Sequence, residues 1–165
     1  MHTVALVSDT HIPARASEVP EPFAGRMRDA DHVIHAGDFV SRAAFDAIEH
    51  LAGGALTAVE GNMDRGLDLP GVATVTIGGV TFVVTHGTGN PAGYEGRVAQ
   101  AVHERADADA VGVAGHSHDV LDTVHDGIRI LNPGSVTGAA PASRATMMTA
   151  TVDDSGLSVT VHEAP

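Results

Sequence analysis

Side chains that can bind metal ions recur in this chain directly after apolar runs. The clearest case is the tetrapeptide GHSH at residues 115–118, whose two histidines follow the run AVGVA. Four further apolar runs end in the same way. Together the five runs contribute seven carboxylate, imidazole or amide side chains: Asp9, His11, Asp38, Asn62, His86, His116 and His118. Because ligands of open α/β sheets bind beyond the carboxyl ends of the strands, we expect these side chains to converge on one edge.

The residue types in this set suit divalent cations. Two cations about 3.5–4 Å apart can stabilise both the attacking and the leaving oxygen of a phosphoryl transfer. Residues i and i+2 of an extended segment share a face, so Asp9 and His11 can reach the same site, as can His116 and His118. The sequence contains no cysteine, which excludes thiolate ligands and disulfides. The remaining ligand types favour Mn²⁺, with Ni²⁺, Zn²⁺, Fe²⁺ and Co²⁺ also compatible.

Each of these residues also has a simpler interpretation when it is taken alone. The histidines of GHSH can form a polar turn, and His11 can be an exposed loop residue. Asn62 is also an ordinary turn residue. The recurrence of the same residue types after five apolar runs favours the interpretation as ligands.

The chain is strongly acidic. Asp and Glu number 21 against nine Arg and no Lys, so the net charge is −12 with His neutral. Such a charge repels itself at low ionic strength and is screened by salt, so we expect a protein adapted to a high-salt cytoplasm. An ordinary acidic enzyme is the alternative. Because a basic patch is lacking, we do not expect tight binding of nucleic acid.

The elements that must position the candidate ligands change in character along the chain. From residue 3 to residue 62 the pattern predicts strand, helix, strand, helix, strand, as in a parallel sheet. The helix predicted over residues 41–53 begins after Ser41, a good N-cap residue, and ends at Gly53. Later residues predict three hairpins and one helix over residues 92–108.

The three hairpins turn at glycine-containing segments, Gly78-Gly79, Asp126-Gly127 and Asp154-Ser155-Gly156. Two packed mixed sheets with helices outside would accommodate both halves of the chain. We expect a single domain over residues 1–165 that does not associate with a membrane, because no stretch approaches the ~20 apolar residues of a membrane span. The first apolar run lacks a preceding basic region, which favours a strand over a signal peptide and indicates a cytoplasmic protein.

The motifs SDTH, HAGD, GNMD, THG and GHSH, together with LNPGS at residues 131–135, resemble those of a known family. Their order and spacing are similar to those of the calcineurin-like metallophosphoesterase superfamily, and most closely to its small single-domain phosphodiesterase branch. The resemblance covers residues 4–136. It implies a metallo-dependent phosphatase-like fold, which is a four-layer α/β/β/α sandwich of two mixed sheets with a dinuclear metal site between them.

The resemblance also implies how the ligands divide between two ions. The first ion would bind Asp9, His11, Asp38 and His118. The second would bind Asp38, Asn62, His86 and His116, so that Asp38 bridges the pair. A hydroxide bridging the two ions would attack phosphorus in line, without a covalent enzyme intermediate.

Other residues near these motifs are expected to have supporting roles. His35 and Asp64 are expected behind the ligands rather than among them. Asn132 and Ser135 are candidates for the rim of the site, and Arg15 and Arg65 are weaker candidates for contact with a substrate phosphate. Ser117, between the two histidines of GHSH, is expected to point away from the site.

One position departs from the pattern of many superfamily members. They have Gly-Asn-His-Glu where this chain has GNMD at residues 61–64. Met63 can neither protonate a leaving group nor stabilise charge in a transition state. The resemblance implies a metal-dependent phosphodiesterase of small molecules, and because of Met63 we expect it to favour aryl leaving groups. The alternatives are a phosphomonoesterase with the same site and a non-catalytic protein-interaction scaffold, a role that this fold has in the eukaryotic retromer complex.

Overall fold

Two five-stranded sheets and three helices make up residues 1–164, the part of the chain that the computed structural model describes. In chain order the strands are β1 His2–Val7, β2 His32–His35, β3 Leu56–Ala58, β4 Val72–Ile77, β5 Val80–Thr85, β6 Val111–Val113, β7 Val120–His125, β8 Ile128–Pro133, β9 Ala145–Asp153 and β10 Gly156–Ala164. The helices are α1 Glu21–Asp29, α2 Arg42–Leu51 and α3 Tyr94–Arg105. The order of elements predicted from the sequence is confirmed.

Each sheet combines three adjacent parallel strands with antiparallel pairs at its edges. The first sheet has the order β10-β9-β1-β2-β3, in which β1, β2 and β3 are parallel. The second has the order β4-β5-β6-β8-β7, in which β5, β6 and β8 are parallel. The parallel strands matter most for function, because the loops that follow them carry the candidate ligands.

Three apolar layers hold the elements together. Between the sheets, Leu6 of the first sheet and Phe82 of the second are buried in a shared core. Outside the first sheet, Ile48 of α2 belongs to a second core that also includes residues of α1. Outside the second sheet, Val102 of α3 packs in a third core with Ile130 of β8. The predicted four-layer α/β/β/α sandwich of two mixed sheets is confirmed.

Local sequence signals explain several of the element boundaries. Helix α2 begins after Ser41, whose hydroxyl oxygen accepts a hydrogen bond from the backbone N–H of Ala44 at 3.1 Å. Gly78 and Gly79 have φ angles of 58° and 86° in the turn between β4 and β5. This left-handed region is the one that two-residue hairpin turns require.

No helix within residues 1–164 combines the length and the apolar character that crossing a membrane would require.

The layered core predicts that two valines contribute differently to the free energy of unfolding. Val4 in β1 is fully buried between the sheets, far along the strand from the candidate site, whereas Val124 in β7 is 65% exposed. We expect Val4→Ala to lower the free energy of unfolding by about 2 kcal/mol through lost burial and a residual cavity. The matched Val124→Ala variant should change it by less than about 0.5 kcal/mol. Denaturant titrations in molar KCl measure both, and equal losses would contradict the layering.

Candidate metal centre

The loops after five parallel strands bring the seven candidate ligands to one edge of the sandwich. Strands β1, β2 and β3 of the first sheet are followed by Asp9 with His11, by Asp38 and by Asn62. Strands β5 and β6 of the second sheet are followed by His86 and by His116 with His118. The two sheets thus contribute to one cluster from opposite sides.

The Asp9 carboxylate lies among three imidazoles at the centre of the cluster. Its Oδ1 is 3.4 Å from Nε2 of His118, 3.7 Å from Nε2 of His11 and 3.9 Å from Nε2 of His86. Asp9 is completely buried, and within residues 1–164 this oxygen has no hydrogen-bond partner. A buried oxygen in this state needs a partner, which an ion among the imidazoles would supply.

The second oxygen of Asp9 is held by the protein. Oδ2 accepts a hydrogen bond from the hydroxyl of Ser8 at 2.8 Å and another from the backbone N–H of His116 at 3.1 Å. These two contacts fix the plane of the carboxylate. They leave only Oδ1 available to an ion.

Asp38 lies between His11 of one strand end and His86 of another. Its Oδ2 is 3.5 Å from Nε2 of His11 and 3.2 Å from Nε2 of His86. Its other oxygen, Oδ1, accepts the backbone N–H of Met63 at 2.8 Å. Asp38 therefore directs one carboxylate oxygen toward imidazoles from both sheets.

Two of the imidazoles are oriented by backbone carbonyls. Nδ1–H of His86 donates to the oxygen of Ala36 at 2.6 Å, and Nδ1–H of His118 donates to the oxygen of Ala139 at 2.8 Å. Each ring therefore turns Nε2 into the cluster. Histidines that bind metals are commonly oriented by a hydrogen bond of this kind from the other ring nitrogen.

The outer part of the cluster brings acceptor atoms together. Oδ1 of Asn62 is 3.0 Å from Nε2 of His86 and 3.1 Å from Nδ1 of His116, while Nε2–H of His116 donates to the oxygen of Gly89 at 3.2 Å. In a neutral imidazole only one ring nitrogen carries a proton, and in His86 and His116 that nitrogen donates to a backbone carbonyl. The nitrogen that faces the Asn62 oxygen then has only a lone pair, so two acceptors face each other. Such an arrangement calls for a cation between the atoms.

The cluster as a whole fits divalent cations. Two groups, Asp9–His11–His118 and Asp9–Asp38–His86, have ligand atoms that lie within 4.8 Å of one another. Both ring nitrogens of His11 are buried without a hydrogen-bond partner, like Oδ1 of Asp9. Ligands bound at 2.0–2.2 Å to one ion lie about 3 to 3.6 Å apart, which is close to the spacing of these atoms.

Charge in the cluster is strongly coupled. Burial by itself raises the pKa of Asp9, but the imidazoles of His11, His118 and His86 beside it outweigh burial and lower this pKa well below its ordinary value. Burial also raises the pKa of Asp38, but the imidazole of His86 outweighs burial and lowers it. The two carboxylates therefore stay ionised, and their negative charge favours binding of a cation in the cluster.

The backbone is strained where it carries the ligands. Five of the seven candidate residues have left-handed φ angles between 47° and 74°: Asp9, His11, Asp38, His116 and His118. This conformation costs roughly 1–2 kcal/mol for a residue other than glycine. Gly61 and Gly115 are needed for space. A Cβ at Gly61 would overlap the side chain of Asp38, and a Cβ at Gly115 would overlap that of Ser8. Strain of this kind clusters at functional sites.

Asp64 joins two of the loops that carry ligands. Its Oδ2 accepts the backbone N–H of Asp38 and of Gly61, both at 2.9 Å, and its Oδ1 accepts the backbone N–H of Val40 at 2.8 Å. The carboxylate is buried and lies behind the loops after β2 and β3. Asp64 thereby sets the position of Asp38 relative to Asn62.

His35 lies below the cluster with both ring nitrogens occupied. Nδ1 accepts the backbone N–H of Gly37 at 3.1 Å, so Nε2–H is the donor to the hydroxyl of Thr10 at 2.7 Å. The ring stacks on Phe39 with centroids 3.6 Å apart. Complete burial lowers the pKa of His35 to about 3, against the opposing charges of Asp9 and Asp38. His35 is therefore neutral and supports the loop between Asp9 and His11.

Asn132 and Ser135 do not lie at the rim of the site as predicted. Both are completely buried beneath the loops that carry the ligands. The hydroxyl of Ser135 donates to the backbone oxygen of Asp9 at 2.7 Å, and Nδ2 of Asn132 donates to the backbone oxygen of Gly115 at 3.1 Å. The LNPGS segment therefore contributes hydrogen bonds that hold the loops after β1 and β6 in place.

Tyr94 also supports the GHSH segment, although no motif marked it. Its hydroxyl donates to the backbone oxygen of Gly115 at 2.6 Å and accepts from Nδ2 of Asn132 at 3.0 Å. Ser117 belongs to the same network, because its hydroxyl oxygen accepts a further hydrogen bond from Asn132 at 3.0 Å. The one weak signal in the sequence was that Tyr94 is the only tyrosine of the chain.

The remaining candidates lie near the surface. Arg15 donates from Nη1 to the backbone oxygen of Ala140 at 2.9 Å, and Arg65 is exposed. Met63 is 44% exposed, and its backbone N–H donates to the candidate ligand Asp38. The side chain at position 63 therefore cannot donate a proton to a leaving group.

The buried His35 produces a pH dependence of stability with a defined sign. Unfolded histidine has a pKa near 6.5, so between about pH 6.5 and pH 3 the unfolded chain binds a proton that the folded chain excludes. Acidification from pH 7.5 to pH 5 should therefore remove about 2 kcal/mol of unfolding free energy through this residue. His35→Asn should abolish that part of the loss. Denaturant titrations with EDTA at each pH measure it.

The matched control for this experiment is His103→Asn on the exposed face of α3. It should keep the pH dependence of the wild type. If the wild type and His35→Asn instead lose stability in parallel, the neutral state of His35 is not what couples folding to pH.

Comparison with known proteins assigns the chain to a family. The sequence profile of the calcineurin-like phosphoesterase superfamily domain matches residues 2–155. A protein of Methanothermobacter thermautotrophicus named as a probable metallophosphoesterase is 35% identical over 136 residues, which cover 81% of this chain and 77% of that protein.

Solved structures share the same arrangement of sheets and helices. A Thermotoga maritima protein solved by NMR is 27% identical, with a TM-score of 0.76 over 99% of this chain and 100% of that one. Vps29 of Entamoeba histolytica, crystallised with Zn²⁺, is 23% identical, with a TM-score of 0.75 over 98% of each chain. The likeness to Vps29 concerns the fold alone. Taken with the profile match over most of its length, these findings establish that the chain belongs to the calcineurin-like phosphoesterase superfamily.

Proposed function

We propose that the chain hydrolyses phosphodiesters of small molecules and uses two divalent cations held by the seven candidate ligands. The observation that carries the proposal is the set of unpartnered buried atoms, Oδ1 of Asp9 and both ring nitrogens of His11, at the centre of the cluster. A protein that served only as a scaffold would gain nothing from burying these atoms without partners, since each unsatisfied group costs about 1–3 kcal/mol.

Two overlapping ligand sets account for the arrangement. We assign the first ion to Asp9, His11, Asp38 and His118, and the second to Asp38, Asn62, His86 and His116. The position of Asp38 between His11 and His86 supports its assignment to both ions. The short distances from the Asn62 oxygen to His86 and His116 support the second set.

The donor set accepts several ions, and Mn²⁺ is the one that we propose. Nitrogen and oxygen ligands without thiolates suit Mn²⁺ and are also compatible with Zn²⁺, Ni²⁺, Fe²⁺ and Co²⁺. A Vps29 with the same fold has been crystallised with Zn²⁺. When bound, a pair of divalent ions supplies Lewis acidity that polarises a phosphate ester and lowers the pKa of water.

The residues of this chain prepare the site for that chemistry. Hydrogen bonds from Nδ1 to backbone carbonyls keep Nε2 of His86 and His118 directed inward, so little reorganisation accompanies binding. Asp64 holds the backbone of Asp38 through its N–H. The ionised state of Asp9 and Asp38 limits the positive charge that the ions would bring into a buried place.

The charge and layering of the chain support two further parts of the proposal. Two sheets that share one buried core favour a single domain over residues 1–165. The net charge of −12 favours a protein that works in a high-salt cytoplasm.

Replacing the bridging carboxylate tests the proposed function. Asp38→Asn removes one negative charge between two imidazoles, and we expect Mn²⁺-dependent hydrolysis of bis(p-nitrophenyl) phosphate to fall at least about 100-fold. The assay is run in molar KCl, with the metal content of each sample measured by elemental analysis. Asp46→Asn, on the exposed side of α2, is the matched control and should retain activity.

The same assay separates the alternatives. Hydrolysis of p-nitrophenyl phosphate in preference to the diester would indicate a phosphomonoesterase. Tight metal binding without hydrolysis of either ester would indicate a scaffold. Either outcome would contradict the proposed diesterase.

The residue at position 63 predicts a preference among leaving groups. The exposed thioether of Met63 cannot protonate a departing alkoxide. We therefore expect kcat/KM for aryl diesters to exceed that for dialkyl diesters by more than their difference in intrinsic reactivity. Met63→His should narrow the gap by raising the alkyl rate roughly 100-fold, the lower end of the usual contribution of a general acid. Equal rates on aryl and dialkyl diesters in the wild type would refute the expectation.

A further inference from the structure

A recess of about 330 Å³ opens beside the candidate metal centre. Its lining residues come from the loops after β5 and β6 and from the start of α3: Gly89, Pro91, Tyr94, His116, Ser117 and Asp119. His116 belongs both to the recess and to the proposed ligand set. The recess is therefore within reach of a substituent on a phosphate held at the outer side of the centre.

One wall of the recess is fixed by the network beneath GHSH. The Tyr94 hydroxyl donates to the oxygen of Gly115, and the Ser117 hydroxyl oxygen accepts from Nδ2 of Asn132. Asn132 is completely buried, so this network is shielded from water. The wall is thus formed before any ligand arrives.

The opposite wall is the loop over residues 87–93, which Arg97 of α3 clamps. The Arg97 guanidinium donates to three backbone oxygens of this loop, those of Gly87 at 3.1 Å, Asn90 at 2.8 Å and Ala92 at 3.3 Å. The guanidinium itself does not line the recess. Arg97 therefore shapes the recess while its charge stays engaged with the carbonyls.

Among the described residues that line the recess, Asp119 is the one that carries a carboxylate, and it also borders a second recess with Arg144 and Glu163. Asp119 is exposed, and within residues 1–164 it has no salt-bridge partner. Its backbone N–H donates to the Ser117 hydroxyl at 3.2 Å, which holds the residue beside the recess. No arginine lines the recess to balance this carboxylate. An anionic group placed there would be repelled, and a cationic group would be attracted.

We propose that this recess binds one organic substituent of the phosphodiester, and that Asp119 selects a compact neutral or cationic substituent against an anionic one. The inference rests on the proposed function, which places the phosphate at the ligands that include His116. The volume lies at the lower end of the ~300–1,000 Å³ range of small-molecule pockets, so it suits one compact group rather than an oligomer.

The test compares three diesters that share p-nitrophenolate as leaving group. Their second substituents are 3,3-dimethylbutyl, trimethylammonioethyl and 3-carboxypropyl, which differ in charge but little in size. With Mn²⁺, we expect the wild type to have a higher kcat/KM for the cationic substrate than for the anionic one. Asp119→Asn should lower the cation-to-anion ratio roughly fivefold, as attraction and repulsion at an exposed carboxylate are both lost. Asp119→Arg should reverse the order.

The control for net charge is Asp154→Asn in the turn between β9 and β10. This turn lies at the opposite end of the first sheet, since Val152 pairs with His2 at the beginning of β1. The control should keep the wild-type ratio. An unchanged ratio in Asp119→Asn, or an equal change in Asp154→Asn, overturns the assignment of the recess.

Failure of the proposed function has a different signature. If the wild type with Mn²⁺ hydrolyses none of the three diesters, the diesterase proposal fails. The recess is then tested by NMR titration with methylphosphonate monoesters carrying the same three substituents. Amide shifts at Ser117 and Asp119 that are larger with the cationic ester support the recess. Shifts that are absent, or independent of the charge of the substituent, overturn it.

Discussion

The structure depends on how it accommodates two buried carboxylates at the edge where its two sheets meet. Asp9 and Asp38 are ionised groups taken out of water, and such a charge is costly unless it is partnered. Three imidazoles lie within 4 Å of Asp9, yet Oδ1 of this residue makes no hydrogen bond. A cation satisfies both requirements together. Burial of the carboxylates and affinity for divalent ions are thus two aspects of one constraint.

The same constraint explains why the cluster also joins the two sheets. His86 follows a strand of the second sheet, but its Nδ1–H donates to Ala36 after β2 of the first. The Ser135 hydroxyl, beyond β8 of the second sheet, donates to the backbone oxygen of Asp9 after β1. The backbone N–H of His116 donates to the Asp9 carboxylate. Each of these bonds crosses from one sheet to the other, so orientation of the ligands and closure of the sandwich are achieved together.

Much of the fold and the set of candidate ligands could be predicted from the sequence, because both follow from local patterns of residues. The order of elements, the hairpin turns and the Ser41 cap depend on residues close together in the chain. The meeting of seven polar residues follows from parallel strands that end at one edge. The buried position of Asn132, the contact of Tyr94 with Gly115 and the Arg97 clamp could not be predicted. They depend on which loops of the two sheets contact each other, and the spacing of residues along the chain does not predict those contacts.

The site is closed on one side and open on the other. Asp9 and His11 are essentially inaccessible, whereas Asn62 is exposed and His116 is partly so. An ion bound to the inner ligands would therefore have the outer ones between it and the medium. If the centre holds the two ions that we propose, their loading and removal would be sequential. The outer ion would exchange first, and the inner ion would be kinetically trapped while the outer position is filled.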